Sequence, residues 1–467
     1  MNKTKTNCFA VLAALVLAIF AAACSDDSSA PVLGPARITR IDDNYTDIEQ
    51  DEDFSGINVK LIYPISSIVG MRFVYPYKDP YGYPAMLSGI ICVPKTIYNQ
   101  EDKKADGIML YNHYTIMTNY ECPSYGVVEE KDNKAIGLKE ISALGIKAQV
   151  DLIGPDPVYI GVENHKIITV AADYYGFGET NGSVQYYCEG DYNARANLEA
   201  LKVAKELLKE KGYTWDDYLL NVGYSQGGQT AVAVQKLVDQ GEYDENIAAT
   251  YAGSGPYDLN KTYMSYLDVK DEERDIAVVV YPVLSYNMYK FLGLNYSTAF
   301  NPKLSEKIND WFLSKKFTRE EIDKKIKEAG MPKLSDAFSD ELLDTTSASS
   351  QKLSAALDTV SLLKGWTPNK NDRIYLYYSR SDTLVQPING EEMASFFKNK
   401  GFAEKTADHA SVSMIILSTL AGGAKDARPS AGEVAVRISD GETHEDGGSI
   451  WMMDVISELK LHLNPEP

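Results

Sequence analysis

Histidine is scarce in this chain, at five in 467 residues. A reaction that needs an imidazole base has only His113, His165, His409, His444 and His462 to draw on. Cysteine is equally rare, and neither C-x-x-C nor H-E-x-x-H spacing occurs, so we expect no metal and no cofactor. Basic stretches with interleaved aromatics are missing too. With 46 Lys and Arg against 66 Asp and Glu, the net charge is −20, which repels nucleic acid and anionic membrane surfaces. Low-complexity tracts and internal repeats are lacking, and 44% apolar with 24% charged residues is a globular composition. The length allows one large domain carrying an insertion, or two domains.

Long apolar runs are limited to one, residues 9–23, which is short for a membrane span. Lys3 and Lys5 precede it and Cys24-Ser25-Asp26-Asp27 follows. A basic start, an apolar core and small residues at the end describe a secretory signal. Because Cys24 directly follows Ala21-Ala22-Ala23, the segment resembles a bacterial lipoprotein signal, although Ala21 stands where that pattern prefers Leu. The resemblance implies removal of residues 1–23, lipidation of Cys24 and anchoring of an exported protein to the outer membrane or cell surface. The acidic residues after Cys24 resemble the export tag of surface lipoproteins in some Gram-negative bacteria. Losing Lys3 and Lys5 and no acid would move the net charge from −20 to −22. Residues 24–55, polar and acidic, read as a flexible tether to a domain spanning 56–467. Cys92 sits in an apolar run and reads as a buried thiol, whereas Cys122 and Cys188 lie in loops and are candidates for a disulfide in an exported protein.

Strand-like runs at 59–63, 69–75 and 86–93 are separated by Pro, Gly and Tyr turns. Beyond 106 the pattern alternates. Strands at 107–111, 165–171, 218–222 and 247–252 are interleaved with helical segments at 139–144, 194–211 and 230–238. That alternation predicts a mostly parallel sheet flanked by helices. From about 258 to 370 it gives way to helical patterns, with Tyr and Met clusters at 263–266 and 281–292 and charged helices at 303–328 and 350–364. The alternation resumes with strands at 373–378 and 434–438, helices near 390–400 and 448–462 closing the chain.

The most informative stretch is Asn221-Val222-Gly223-Tyr224-Ser225-Gln226-Gly227-Gly228-Gln229. It lies between a strand and a small-residue helix, the context in which G-x-S-x-G makes a nucleophile elbow. A Cβ at position 223 or 227 would collide with the adjoining strand or helix, and Ser225 is forced into a strained backbone. The alternative is an ordinary Gly-rich strand-to-helix turn. Two later residues decide between them. Asp382 follows the strand at 373–378, where its carboxylate would hold a histidine's second N–H; otherwise it is an Asx-turn aspartate. His444 lies in a Gly-rich loop between the last strand and last helix, placed to take a proton from Ser225. His165, His409 and His462 read as structural or surface residues. The backbone N–H of Gln226 is the first oxyanion donor expected.

The elbow and the chain order Ser225, Asp382, His444 resemble the α/β-hydrolase superfamily, over residues from about 57 to 462. The form Gly223-Tyr224-Ser225-Gln226-Gly227-Gly228, with the large insertion, is most similar to the secretory lipase and esterase branch. The resemblance implies an α/β-hydrolase fold with a helical cap at about 258–370, and a Ser225/His444/Asp382 triad. It also implies a second oxyanion donor from Asn112-His113-Tyr114-Thr115. Many relatives carry His-Gly there, and this chain has His113-Tyr114, which leaves the donor open between Tyr114 and Thr115. His113 resembles the histidine that orients this loop, with a role as base second to that. Asp173 in Asp173-Tyr174-Tyr175-Gly176-Phe177-Gly178 reads as structural. The implied reaction is hydrolysis of a carboxylic ester of a small molecule, lipid or acylated carbohydrate through an acyl-enzyme. Two alternatives stand beside it: a peptidase of the prolyl-oligopeptidase type, although no propeller-like repeats precede the elbow, and a glycan-binding lipoprotein on a hydrolase fold, suggested by 32 tyrosines.

Overall fold

The central strands are short, mostly apolar runs, and a sheet covered on both faces buries such runs while pairing their backbone groups. The computed structural model describes residues 33–54, 57–125, 147–150, 158–159, 166–407 and 428–463. Cys24, His165, His409 and the helix expected at 139–144 lie outside them. Ten strands form the main sheet: β1 (Arg37–Asp42), β2 (Ile68–Lys78), β3 (Pro84–Pro94), β4 (Gly107–Asn112), β5 (Ile167–Ala172), β6 (Leu219–Tyr224), β7 (Ile247–Gly253), β8 (Arg373–Ser379), β9 (Ala403–Ala407) and β10 (Glu433–Ser439). Their order is β1-β2-β3-β5-β4-β6-β7-β8-β10-β9. Pairing is antiparallel from β1 through β3 to β5 and parallel from β5 onward. Every residue of β4, β5 and β6 is buried.

Helices α1 (Gly190–Glu210) and α2 (Gln226–Asp239) cover one face, where Leu201, Leu208, Val234 and Leu237 join Leu110, Val170 and Leu376 in one core. Between β7 and β8 the chain builds a helical insertion, including α3 (Leu259–Asp268), α4 (Ala277–Tyr289), α5 (Arg319–Glu328) and α6 (Ala348–Asp358). The insertion has an apolar core of its own, joined by Met117, Tyr187 and Cys188 from the sheet's carboxyl-edge loops. Helix α7 (Ile388–Asn399) returns to the first face, and α8 (His444–Leu463) covers the other, burying Trp451, Met453, Ile456 and Leu459 against Val222, Tyr251 and Tyr375. Many buried tyrosines fill core volume while their hydroxyls tie distant segments, as Tyr75 does to the Ala196 carbonyl at 3.0 Å and Tyr263 to that of Leu342 at 2.7 Å.

Three expectations are corrected. The tether does not extend to residue 55: residues 37–42 form β1 at the sheet edge, and Ile48–Phe54 pairs with Ile57–Tyr63 in a small second sheet. Cross-strand pairing makes a strand of the acidic Ile48–Phe54 segment, against its local preference. Cys122 and Cys188 form no disulfide. Both are buried free thiols, Cys122 against Ile116 and Phe177 and Cys188 in the insertion's core. The helix expected over 303–328 is broken into Pro302–Ser305, a wide turn at Asn309–Leu313 and α5, which starts afresh at a Thr318/Glu321 capping box.

A lysine ties the insertion to the sheet. Lys315, 8% exposed, donates from Nζ to the carbonyls of Gly176, Asn181 and Ser183 and lies 4.9 Å from the Phe177 ring centre. Burial pulls its ammonium down to about 8.

Candidate active site

The register of β6 against its neighbours sets the position of Ser225. Gly223 lies opposite Asn112 of β4, and Tyr224 opposite Gly253 of β7, so the chain reaches the carboxyl edge of the sheet and turns at once into α2. Ser225 caps that helix with φ 56° and ψ −124°, and its N–H donates to the Gly253 carbonyl at 2.8 Å. A non-glycine residue in the left-handed region carries strain that its surroundings must hold. The glycines leave no room for any other residue. A Cβ at 223 would meet the Gly227 carbonyl, and one at 227 the Asn112 carbonyl.

Buried amides lock the base of the turn. Asn112 Nδ2 donates to Asn221 Oδ1 at 2.8 Å and to the Val222 carbonyl at 2.9 Å. Asn197 of α1 donates to Asn112 Oδ1 at 2.6 Å, and Asn221 reaches the Ala231 carbonyl and the Thr250 hydroxyl. Such a network fixes one arrangement because each unmet polar atom is costly at this depth. The sequence signal was an asparagine inside each of two otherwise apolar strands.

Asp382 and His444 meet. His444 Nδ1 donates to Asp382 Oδ2 at 2.6 Å, while Asp382 Oδ1 accepts the N–H groups of Leu384 at 2.9 Å and Val385 at 2.8 Å. The aspartate is therefore an Asx-turn residue and an imidazole partner at once, one oxygen for each. Asp382 is 3% exposed and His444 8%. His444 opens α8, and Thr443 and Asp446 exchange capping hydrogen bonds around it. Tyr224, the residue before Ser225, donates its hydroxyl to the His444 carbonyl at 2.6 Å, its ring centre 5.1 Å from the imidazole. The histidine is thus joined to the elbow through a tyrosine whose role the sequence did not disclose.

A narrow cavity of about 30 Å³ opens onto Ser225, lined also by Tyr187, Pro256, Leu259, Tyr266, Val278 and Leu384. Leu259, Tyr266 and Val278 come from the insertion, which therefore roofs the serine.

The other candidates are placed as follows. Gln226 is the first residue of α2, directly after Ser225. Tyr114 and Thr115 lie in the loop after β4, where the Thr115 hydroxyl meets that of Tyr187 at 2.8 Å and the Tyr114 side chain packs on Ile116, Cys122 and Phe177. Both ring nitrogens of His113 face backbone carbonyls, Nδ1 that of Tyr114 at 2.7 Å and Nε2 that of Asp173 at 3.2 Å, and burial pulls it down to about 4, so the neutral ring donates its one N–H to one of them and holds the loop. Asp173 binds the Ser88 hydroxyl at 2.5 Å and the Ser124 N–H at 2.7 Å. His462 stacks on Tyr218 at 3.5 Å. Among the described residues no group of three or more His, Cys, Asp or Glu could hold a metal, and no helix is long and apolar enough to cross a membrane.

This architecture defines a class. A protein from Legionella pneumophila subsp. pneumophila str. Philadelphia 1, classed provisionally as a hydrolase, superposes with a TM-score of 0.62 at 17% identity, covering 88% of this chain and 90% of that one. The rice cell wall degrading esterase LipA of Xanthomonas oryzae gives 0.57 at 18%, with 88% and 91% covered. Lipase A of Candida antarctica in its closed state gives 0.53 at 11%, with 90% and 82% covered. The chain has the α/β-hydrolase fold. No family model and no curated protein matches the sequence.

Proposed function

We propose that the protein is a serine hydrolase that cleaves carboxylic esters through an acyl-enzyme. The observation that carries this reading is the His444–Asp382 hydrogen bond of 2.6 Å, tied through the Tyr224 hydroxyl to the turn that holds Ser225 at φ 56°. With its proton on Nδ1 fixed by the carboxylate, His444 presents Nε2 as base and takes the Ser225 proton as Oγ attacks the ester carbonyl. The backbone N–H of Gln226, and a second from Tyr114, hold the oxyanion at the start of α2, where the helix dipole favours negative charge. His444 then protonates the departing alcohol. Water, deprotonated by the same nitrogen, releases the acid and restores Ser225.

The fold neighbours support the ester over the amide reading, since they include an esterase and a lipase. The substrate is an ester of a small molecule, lipid or acylated carbohydrate. Lipidation at Cys24 would keep the exported enzyme at the bacterial surface, and incorporation of labelled palmitate, lost in Cys24→Ala, tests that anchor. For the activity, hydrolysis of p-nitrophenyl esters should vanish in Ser225→Ala with the fold intact. Cleavage of prolyl amides without esters would support the peptidase instead, and no turnover with either would support the glycan-binding lipoprotein.

A further inference from the structure

The helical insertion reaches past the cavity and takes hold of both segments that carry His444 and Asp382. On the base side, Arg319 at the start of α5 is buried, its side chain 8% exposed. Its Nη2 donates to Glu445 Oε1 at 2.6 Å, and Glu445 is the residue next to His444 in the first turn of α8. The same guanidinium pairs with Asp275 at 3.2 Å, Asp323 at 3.3 Å and Glu320 at 2.8 Å, all from the insertion. Those three anchor Arg319 in its own helical layer, leaving Glu445, among the described residues, as its one ion-pair partner outside the insertion. On the acid side, Tyr266 of α3 donates its hydroxyl to the Leu384 carbonyl at 3.0 Å, and Arg274 donates to that of Thr383 at 3.3 Å. These are the two residues that follow Asp382. The Leu384 carbonyl shares its peptide with the Val385 N–H, which binds Asp382 Oδ1 at 2.8 Å, so Tyr266 fixes a peptide that in turn fixes the carboxylate.

Neither segment is held by the sheet alone. The loop after β8 and the start of α8 are surface connections, with Ser381 and Thr383 exposed on one and Gly441 and Thr443 on the other. A misplacement of about 1 Å in a reacting group can cost a hundredfold in rate, so a part that fixes both partners of an imidazole–carboxylate pair acts on the rate even without touching substrate.

We propose that Arg319, acting through Glu445, is a positioning residue for His444, and that Tyr266 does the same for Asp382 through Leu384. The insertion is then a brace for the base and acid as well as a roof over Ser225. This rests on the triad reading above. The sheet delivers the serine and the insertion sets the other two groups against it.

The test uses full-length protein carrying Glu445→Gln, Arg319→Lys, both together, Tyr266→Phe and, separately, His444→Ala. Initial rates on p-nitrophenyl acetate and amide-exchange protection of the 440–450 segment are measured on each. Glu445→Gln should lower kcat about fivefold to twentyfold with KM within twofold, and raise exchange in that segment with little change in melting temperature. Arg319→Lys keeps a cation for Asp275 and Asp323 and should give the same kcat loss. The double variant should be no worse than the poorer single, because both remove one contact. Tyr266→Phe should lower kcat similarly without altering exchange at 440–450. Unchanged protection in Glu445→Gln, additive losses in the double variant, or losses confined to KM would overturn the proposal. Undiminished hydrolysis by His444→Ala would instead overturn the triad reading, and the exchange measurement judges the brace either way.

Discussion

Replacing Asp382 with asparagine is the most informative single substitution, because its outcome follows from two backbone groups. Asp382 Oδ1 accepts from the N–H groups of both Leu384 and Val385. In an asparagine side chain one of the two oxygens becomes an NH₂. If that NH₂ faced the loop it would meet two donors, and two N–H groups at a nearly buried site would lose their acceptor at about 1–3 kcal/mol each. The amide oxygen therefore takes the Oδ1 place and the NH₂ points at His444 Nδ1. A donor there forces Nδ1 to accept, which moves the ring proton to Nε2, the nitrogen that takes the proton from Ser225 in the proposed mechanism. The fold keeps its loop while the base is protonated in the wrong place. We expect kcat for a p-nitrophenyl ester to fall by about 10³–10⁴, equivalent to about 4–5.5 kcal/mol of barrier. Thermal unfolding followed by circular dichroism should show a shift of only a few degrees. A variant retaining more than a tenth of the wild-type kcat would refute the reasoning, since the aspartate would then have no part in setting the tautomer.

Three further outcomes follow from the packing. Gly227→Ala would set a methyl against the Asn112 carbonyl, so it should destabilise the protein by about 1–3 kcal/mol or more, the cost of core overpacking, and soluble yield with melting temperature will show it. Lys315→Met should unfold several degrees below the wild type, because three carbonyls lose their buried donor; an unchanged melting temperature would mean that the insertion is not held there. Asp323 is pushed up from 3.8 to about 7, by burial first and by Asp275 second. Its folded form binds a proton more tightly than its unfolded form. That contribution to stability, at most about 4 kcal/mol, is fully present below pH 3.8 and is lost as pH rises towards 7. Asp323→Asn keeps an acceptor for the Ile276 and Ala277 N–H groups, so between about pH 4.5 and 7.5 its melting temperature should fall less than that of the wild type.

The central parallel strands were legible because they are mostly apolar runs interleaved with helical segments. The elbow was legible because two glycines are imposed by contacts as close as backbone on backbone. Asp382 and His444 were identified by their places in the loops after the strands at 373–378 and 434–438, and the structure brings them within hydrogen-bond distance of each other. What escaped was decided by tertiary partners. The Ile48–Phe54 strand is too acidic to read as one until the Ile57–Tyr63 strand pairs with it, and β1, six residues of which three are charged, is fixed as a strand by its pairing with β2. β9 has the sequence Ala-Glu-Lys-Thr-Ala, and only its place beside β10 makes it a strand. Arg319 and Glu445 are 126 residues apart, and neither carries a pattern that ties it to the other. The cysteines misled because loop position and an export signal argue for oxidation, whereas Cys122 and Cys188 went to two different apolar clusters.

Ser225 as nucleophile is the claim on which the rest depends, and covalent labelling tests it most directly. The protein is treated with a fluorophosphonate, digested, and the modified peptide sequenced by mass spectrometry. We predict one adduct, on Ser225, absent from Ser225→Ala and formed much more slowly in His444→Ala. Failure to label the folded protein, or an adduct on another residue with ester hydrolysis intact in Ser225→Ala, would contradict the account.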